Sequence, residues 1–304
     1  MKKVLITGAS GLLGTRLTEL LLKKGYSVNT LGRQTADNRP QKNSVNHFVW
    51  EIDKGIIDAK AFEGVSAIIH LAGAGVADKR WCDERKKEII DSRIKSAKLI
   101  FDFLRKNKHE VKTFISASAV GLYGDCGDEL VTEEQKASEG FLAEVCKQWE
   151  QSAKQFSKLE IREVRCRIGI VLSKDGGALP ELTRTISLGV ASYFAKSNLY
   201  YPWIHLDDVC GVMIHALENE NISGAYNTTA PQPLLMKDLM KEILVAKKSK
   251  ALLVPAPPFA IKFAMGEMSE MLLSSQRCSA DKTLESGYKF RFKKIGEALK
   301  EIYK

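Results

Sequence analysis

The sequence predicts an α/β protein: a doubly wound parallel sheet over residues 1–230 and a smaller C-terminal lobe over residues 231–304. Three observations predict it. Residues 4–14, VLITGASGLLG, join a short β-branched and aliphatic run, the mark of a buried parallel strand, to glycines at 8, 11 and 14. A helix follows at once, with Leu12, Leu13, Leu17, Leu20 and Leu21 on one face. Residues 67–75, AIIHLAGAG, repeat the design, and strand-like and helix-like segments alternate onward to residue 228. Such alternation calls for parallel strands with helices on both faces and a ligand crevice at the strands' carboxyl ends.

The opening turn places unpaired backbone N–H groups at the positive end of a helix, where a pyrophosphate can sit. Glycine is needed where a Cβ would block the phosphate or the strand–helix contact. The G-x-x-G-x-x-G spacing makes Gly8, Ser10, Gly11, Leu12, Leu13 and Gly14 candidate dinucleotide ligands. After Gly25, residues 26–31 form a second strand ending in Gly32, Arg33 and Gln34, with Asp37 the first acid. An acid there would hold a ribose 2′-OH and an arginine a 2′-phosphate, so Arg33, with Arg39 as a weaker helper, favours NADP over NAD. Residues 47–52 are a third strand. In the fourth, the residues at the carboxyl end, Leu71, Ala72 and Gly73, let a ligand approach the backbone, while His70 reads as packed and hydrogen-bonded.

Residues 81–105 form a long amphipathic helix, with Ile89, Ile94, Ile100 and Leu104 in its core stripe, Arg93 on its polar side, and Lys79, Arg80 and Trp81 at its entrance. In residues 111–118, VKTFISAS, the period of two puts Ser116 and Ser118 on one side, Ser118 facing the crevice, and Tyr123 follows one loop later. A helix over 140–156 and a sixth strand over 161–172 come next, then a loop with Gly176 and Gly177. Residues 200–208, YYPWIHLDD, lead into a helix over 209–218 that Asp207 or Asp208 would cap. A short strand at 224–228 and a helix at 236–245 follow. Residues 254–259, VPAPPF, read as a break, and Met265, Met268 and Met271 are spaced along a further helix before a last amphipathic one.

Composition narrows the classes. A chain of 304 residues with 44% hydrophobic and 27% charged content is an ordinary globular protein. The formal charge of +9 is spread along helices rather than gathered in runs, which suits a phosphorylated ligand or a solvated surface better than nucleic acid. Six cysteines without a C-x-x-C pair or clustered histidines point to reduced thiols, with neither a disulfide framework nor a metal site. The strand at the N-terminus leaves no room for a signal peptide, and no apolar run reaches spanning length. The expectation is a cytoplasmic protein with no membrane or nucleic-acid partner.

The segments TGASGLLG, HLAGAG, SASAVGLYG, WIHLDD and YNTTAP, in this order, resemble the extended short-chain dehydrogenase/reductase superfamily. With RIGIVL, GGAL and the tail PAPPF, MGEM, LLSSQR and GYKF, the chain is similar to that superfamily's atypical epimerase-family branch, which carries a C-terminal domain of uncharacterised function. The likeness spans nearly the whole chain. It implies a Rossmann-like sheet, NADP as cofactor, and a small-molecule substrate held by the C-terminal lobe with a contribution from 179–203; it leaves room for a homodimer. In its terms Gly8, Gly11 and Gly14 match the phosphate turn, Arg33 the basic position of NADP-preferring members, and Ala72 with Gly73 the small residues along the cofactor. Arg93 and Ser116 join them as cofactor contacts, and Ser118 matches the serine that hydrogen-bonds the reacting oxygen.

One departure bears on chemistry. The tyrosine of a Y-x-x-x-K pair would act as general acid/base from the helix after Ser118, but that helix reads GFLAEVCKQWE. Phe141 is followed four later by Val145, Leu142 by Cys146 and Ala143 by Lys147, so no register supplies both residues. Loss of a positioned acid/base removes about 10²–10⁴ in rate. Tyr123 is the nearest replacement in sequence, with Glu144, Cys146 and Lys147 as others, though it reads more readily as an aromatic closing a loop over the nicotinamide. Two functions stay open: an NADP-dependent oxidoreductase or sugar-nucleotide-type epimerase with another proton donor, and an NADP(H)-binding sensor or scaffold without turnover.

Overall fold

The computed structural model describes residues 2–33 and 45–304; Gln34, Asp37 and Arg39 lie outside them. The first half runs β1 (Lys3–Thr7), α1 (Leu12–Lys23), β2 (Ser27–Gly32), β3 (Val45–Glu51), β4 (Ile56–Ile57), β5 (Val65–His70), α2 (Asp83–Lys106), β6 (Thr113–Ala119), β7 (Leu130–Val131), α3 (Phe141–Lys154) and β8 (Arg162–Ile168). Then come β9 (Ile170–Ser173), β10 (Gly176–Gly177), α4 (Ala178–Thr183), β11 (Val190–Phe194), β12 (Tyr200–Tyr201), β13 (Trp203–His205), α5 (Leu206–Glu218) and β14 (Gly224–Thr228). The chain closes with β15 (Leu234–Leu235), α6 (Met236–Ala246), β16 (Leu252–Ala256), α7 (Pro258–Met265), α8 (Glu270–Leu273), β17 (Arg277–Cys278), α9 (Asp281–Glu285) and α10 (Ile295–Ile302).

The main sheet has eight strands in the order β14-β8-β6-β5-β1-β2-β3-β4, parallel except where β4 turns back along β3. Val4, Leu5 and Ile6 are fully buried, as a strand covered on both faces requires. On one face Leu17 and Leu21 of α1 and Val209 and Met213 of α5 pack with Val4, Ile6 and Ile69. On the other, Ile100 and Leu104 of α2 and Ala153 of α3 pack with Leu5, Ile68 and Phe114. β1 pairs with β2 on one side and β5 on the other, so the winding reverses at its carboxyl end, where an open α/β sheet binds ligands.

The doubly wound sheet is as expected, but four local readings need correction. The sixth strand is two strands. At Gly169, whose N–H donates to Thr228 O, the chain leaves the main sheet; Ile170 N then donates to Pro202 O at 2.7 Å, and β9 pairs with β13. Residues 254–259 are no simple break, since β16 pairs in parallel with β11. Pro255 is tolerated because this sheet has only two strands and both are edges. Neither Asp207 nor Asp208 caps α5: His205 does, its Nδ1 accepting from Asp207 N at 3.0 Å. The methionine-spaced stretch is also interrupted, by a 3-10 helix at Gly266–Ser269 between α7 and α8.

A second core joins Leu172, Leu179, Ala191, Tyr201 and Trp203 to Leu239, Met240, Ile243, Leu299 and Ile302. The lobe is therefore built from two stretches of chain separated by β14. Among the described residues, no helix is long and apolar enough to cross a membrane.

Candidate functional site

The turn after β1 is shaped by close backbone contacts. Gly8 has φ +70°, and a Cβ on it would lie 2.8 Å from the Leu71 carbonyl carbon; a Cβ on Gly14 would lie 2.3 Å from Gly8 O. Gly11 differs. Its Cβ position meets only Gly8 O, at 3.5 Å, so its outer side is open. Gly11 caps α1 without a side-chain hydrogen bond, and the first turn holds no acid. The N–H groups at this helix start thus face open space under a positive helix end, which fits a pyrophosphate. Ser10 and Gly11 are exposed, Leu12 and Leu13 half-buried and Gly14 buried. Leu12 packs beneath the Gly176–Gly177 hairpin, and Arg16 grips Asp207 through two bonds of 2.6 and 3.1 Å, tying α1 to α5.

The neighbouring strand end is fixed by a buried relay that sequence reasoning missed. Thr7 Oγ1 accepts from the N–H groups of Leu71 and Ala72, both at 3.2 Å, so its own hydrogen goes to His70 Nδ1 at 2.8 Å. The imidazole then carries its hydrogen on Nε2 and donates to Ser96 Oγ at 3.1 Å, and Ser96 donates to Ser92 O. Burial pushes the His70 pKa down to about 4, which keeps the ring neutral and the relay intact. Packed and hydrogen-bonded, His70 is as expected. Arg93 lies under the same loop, its Nη1 donating to Ala74 O and Ile89 O at 2.9 Å each. Arg33 is exposed at the end of β2.

Ser118 and Tyr123, the two residues expected to do chemistry, have their hydroxyls committed to a buried ionic cluster. Each is 2% exposed. Ser118 Oγ donates to Glu150 Oε1 at 2.9 Å, and the same carboxylate receives Arg165 Nη1 at 3.0 Å, Arg167 Nε at 2.7 Å and Arg167 Nη2 at 3.0 Å. Tyr123 OH accepts from Arg167 Nη1 at 2.9 Å and donates to Asn227 Oδ1 at 2.6 Å. Burial raises the Tyr123 pKa far above the phenol range, against the pull of Arg167. Burial works to raise the Glu150 pKa as well, but the hydrogen bonds and charge of Arg167, with Arg165, hold it below the usual carboxylate range. Ser116 Oγ donates to Ala117 O and is 1% exposed. The clue to this cluster was Arg165 and Arg167 two apart in an apolar strand, hence on one face and in need of an acid.

Helix α3 has its N-terminus at the crevice end of the sheet, where Gly121 packs against Leu142 and Cys146. Phe141, its first residue, meets Trp81 edge-on with centroids 4.7 Å apart, and Lys86 Nζ lies 5.5 Å from its ring. The α7–α8 segment closes over this pair. Arg80 donates to Ala264 O at 2.6 Å, Lys86 pairs with Glu267 at 2.5 Å, and Arg80, Trp81, Met265 and Met268 line a cavity of about 120 Å³. Glu270, another residue the sequence did not single out, sits here half-buried, its Oε1 3.0 Å from where a Cβ on Gly140 would be. Among the described residues its carboxylate has no hydrogen-bond or ion-pair partner, and burial together with the Glu267 charge raises its pKa. Glu144 and Lys147 instead pair loosely with each other at 3.5 Å, and burial pushes the Cys146 thiol up to about 12. Lys79 and Arg184 are exposed.

Comparison with known proteins fits this geometry. Residues 4–228 match the model of the NAD dependent epimerase/dehydratase family, and residues 256–302 match a domain of unknown function, DUF1731. The chain belongs to the NAD dependent epimerase/dehydratase family. Among relatives of this epimerase family, it is 32% identical to the epimerase family protein YfhF of Bacillus subtilis, over 98% of this chain and 97% of that one. It is 31% identical to the chloroplastic epimerase family protein SDR39U1 homolog of Arabidopsis thaliana, over 98% and 86%. Among solved structures, the human epimerase family protein SDR39U1 (isoform 2) with NADPH superposes with a TM-score of 0.85 at 26% identity, covering 99% of each chain. UDP-glucuronic acid 4-epimerase from Bacillus cereus shares the fold, with a TM-score of 0.77 at 16% identity. The extended short-chain dehydrogenase/reductase fold, with its Rossmann-like sheet, is thereby established for this epimerase-family chain.

Proposed function

We propose that this epimerase-family chain is an NADPH-dependent reductase of a small carbonyl compound, working in the cytoplasm. The observation that carries the cofactor is the open outer side of Gly11 above uncapped helix N–H groups. The human relative with NADPH, and Arg33 at the end of β2, support NADP over NAD. NADPH bound here would supply a hydride. Gly8, Gly11, Leu12 and Leu13 would hold its diphosphate, and Leu71, Ala72 and Gly73 would flank its second half.

The proton needs another source than Ser118 or Tyr123, whose hydroxyls are already bonded. Glu270 is the carboxyl without a partner that stands at the start of α3, beside the aromatic pair Trp81 and Phe141. Burial and the Glu267 charge raise its pKa, against the pull of Lys86; it would be the group that passes a proton to a substrate oxygen, and α7–α8 would exclude water around it. The lobe also holds a cavity of about 290 Å³, lined by Tyr193, Phe194, Lys196, Asn198, Met236 and Lys237.

The test is single turnover. Protein loaded with NADPH is mixed with a panel of aldehydes, ketones and nucleotide-linked keto sugars, and nicotinamide absorbance is followed. The expected result is oxidation by at least one class and a rate about 10²–10⁴ lower in Glu270→Gln. Silence across the panel with tight NADPH binding would favour the second reading, a binding protein without turnover, to which the commitment of Ser118 and Tyr123 lends weight.

A further inference from the structure

The β11–β16 sheet turns an apolar face to solvent, although parallel strands are as a rule covered on both faces. Val190 pairs with Leu252 and Ser192 with Val254 in its register. Ala191 and Leu253 join the second core, whereas Val190, Leu252 and Val254 are exposed. Leu188 precedes Val190 at the turn whose Gly189 O receives Leu252 N at 2.9 Å. Val245 lies in the last turn of α6, its carbonyl accepting from Lys248 N at 3.0 Å. Beyond β16, only Ile261 of α7 is buried, and Phe259 and Phe263 stand one turn apart on another side. Leu188, Val245, Leu252, Phe259 and Phe263 are between 72% and 93% exposed. Seven of the nine large apolar side chains exposed among the described residues thus fall between residues 188 and 263, and an apolar surface gathered in this way marks an interaction site.

The charge around this surface says what covers it. Residues 182–206 and 243–266, which hold β11, β16 and α7, contain Arg184, Lys196, Lys247, Lys248, Lys250 and Lys262 but no Asp or Glu. The acids next to them in sequence are Glu181, Asp207, Glu242 and Glu267. Lys196 pairs with Asp125, and the other five cations have no ion-pair partner among the described residues. A second copy docked about a two-fold axis would set positive patch on positive patch. The free edge of β16 does not invite strand addition either. Leu252 N and Ala256 O bond toward β11, so the backbone groups of Leu253 and Pro255 face outward, and Pro255 has no N–H to give. Aromatic rings projecting among unpaired lysines suit an anionic bilayer, which takes the rings without a matching recess and the ammonium groups at its headgroups. We propose that the β11–β16 face and α7 dock the protein on an anionic lipid membrane. Such a contact is peripheral and needs no spanning helix, so the expectation of no membrane partner, which rested on span length, does not bear on it.

The experiment is vesicle flotation of the full chain, with vesicles of phosphatidylcholine alone and of phosphatidylcholine and phosphatidylserine in equal amounts. The wild type should float with the mixed vesicles and not with phosphatidylcholine alone, and added salt should release it. Lys248→Gln combined with Lys250→Gln should weaken binding by about 30-fold, and Phe259→Ser combined with Phe263→Ser by about 100-fold. All four side chains are exposed, so the melting temperatures should match that of the wild type. Phe263→Trp gives a readout independent of affinity: brominated lipid in the mixed vesicles should quench the added indole. Equal binding to both kinds of vesicle, or binding to neither, overturns the proposal, as does an indole that brominated lipid leaves unquenched. Equal affinity for soluble polyglutamate, with no effect of the phenylalanine changes, would assign the face to an acidic protein. A dimer in sedimentation velocity that Phe263→Ser breaks, without vesicle binding, would assign it to a second copy, and either result overturns the membrane reading. Should the double serine variant fail to fold, the Phe263→Trp quenching and the lysine pair decide the matter in the same terms.

Discussion

Replacing Glu150 by glutamine should unfold this protein far more readily than any change at Ser118. The side chain is 5% exposed and receives four hydrogen bonds, one from Ser118, one from Arg165 and two from Arg167. Glutamine keeps the shape but loses the charge, and it turns an NH₂ group toward guanidinium donors on one side. Breaking a buried ion pair from one partner costs about 3–5 kcal/mol. By contrast, Ser118→Ala removes a single hydrogen bond to a charged group, about 1.5–3 kcal/mol. Urea unfolding at pH 7, followed by far-ultraviolet circular dichroism and by tryptophan fluorescence, measures both. The carboxyl's folded pKa lies below its unfolded value of about 4.3, so its contribution is complete above that value and is lost as acid carries the pH down toward the folded one. The gap between wild type and Glu150→Gln should therefore narrow in acid. A penalty for Glu150→Gln under about 1 kcal/mol, or one smaller than that of Ser118→Ala, would refute the reading of this cluster as the clamp joining β6, α3 and β8.

Three further outcomes follow from the same structure. His70 protonates in the folded chain only near pH 4, below an unfolded value of about 6.5. Stability should thus be full above 6.5 and fall by about 3 kcal/mol as the pH drops through that window; an imidazole resonance titrating near 6.5 in the native protein would contradict it. Gly11→Val should still fold, with stability lowered by about 1 kcal/mol for the poorer cap, yet lose NADPH, whereas Gly14→Ala should lose more stability because its Cβ would stand 2.3 Å from Gly8 O; equal NADPH affinity in Gly11→Val counts against the phosphate turn. Arg33→Ala should weaken NADPH much more than NADH in equilibrium titrations, and a like loss for both would take Arg33 out of the site.

What the sequence let one read was whatever is local. The β1 turn and α1 are specified by adjacent residues, Val4 to Gly14 and the leucines beyond, so their form and the openness at Gly11 could be foreseen. The split of the sixth strand could not, because it depends on Thr228 and Pro202 pulling the chain apart at Gly169. β16 was hidden for the same reason: its partner β11 lies far back in the chain, and Pro255 argues locally against a strand. Ser118 was read as crevice-facing from strand alternation alone, and its partner Glu150 is set by how α3 packs across β6 and β8. Glu270 arrives from the far end of the chain, so no spacing near Phe141 announces it.

The interleaved second core has a consequence for synthesis. Its apolar face begins at Leu172 and is closed only when Leu299 and Ile302 arrive. About 130 residues separate these ends, roughly 6–25 s of elongation at about 5–20 residues per second. During that interval the main sheet can reach β14 while the surfaces around Ala191, Tyr201 and Trp203 wait uncovered, open to holding chaperones or to aggregation. The stretch matched by the C-terminal family model is thus the last piece of a shared core, and a ribosome paused before α10 would present a formed nucleotide turn on an unfinished lobe.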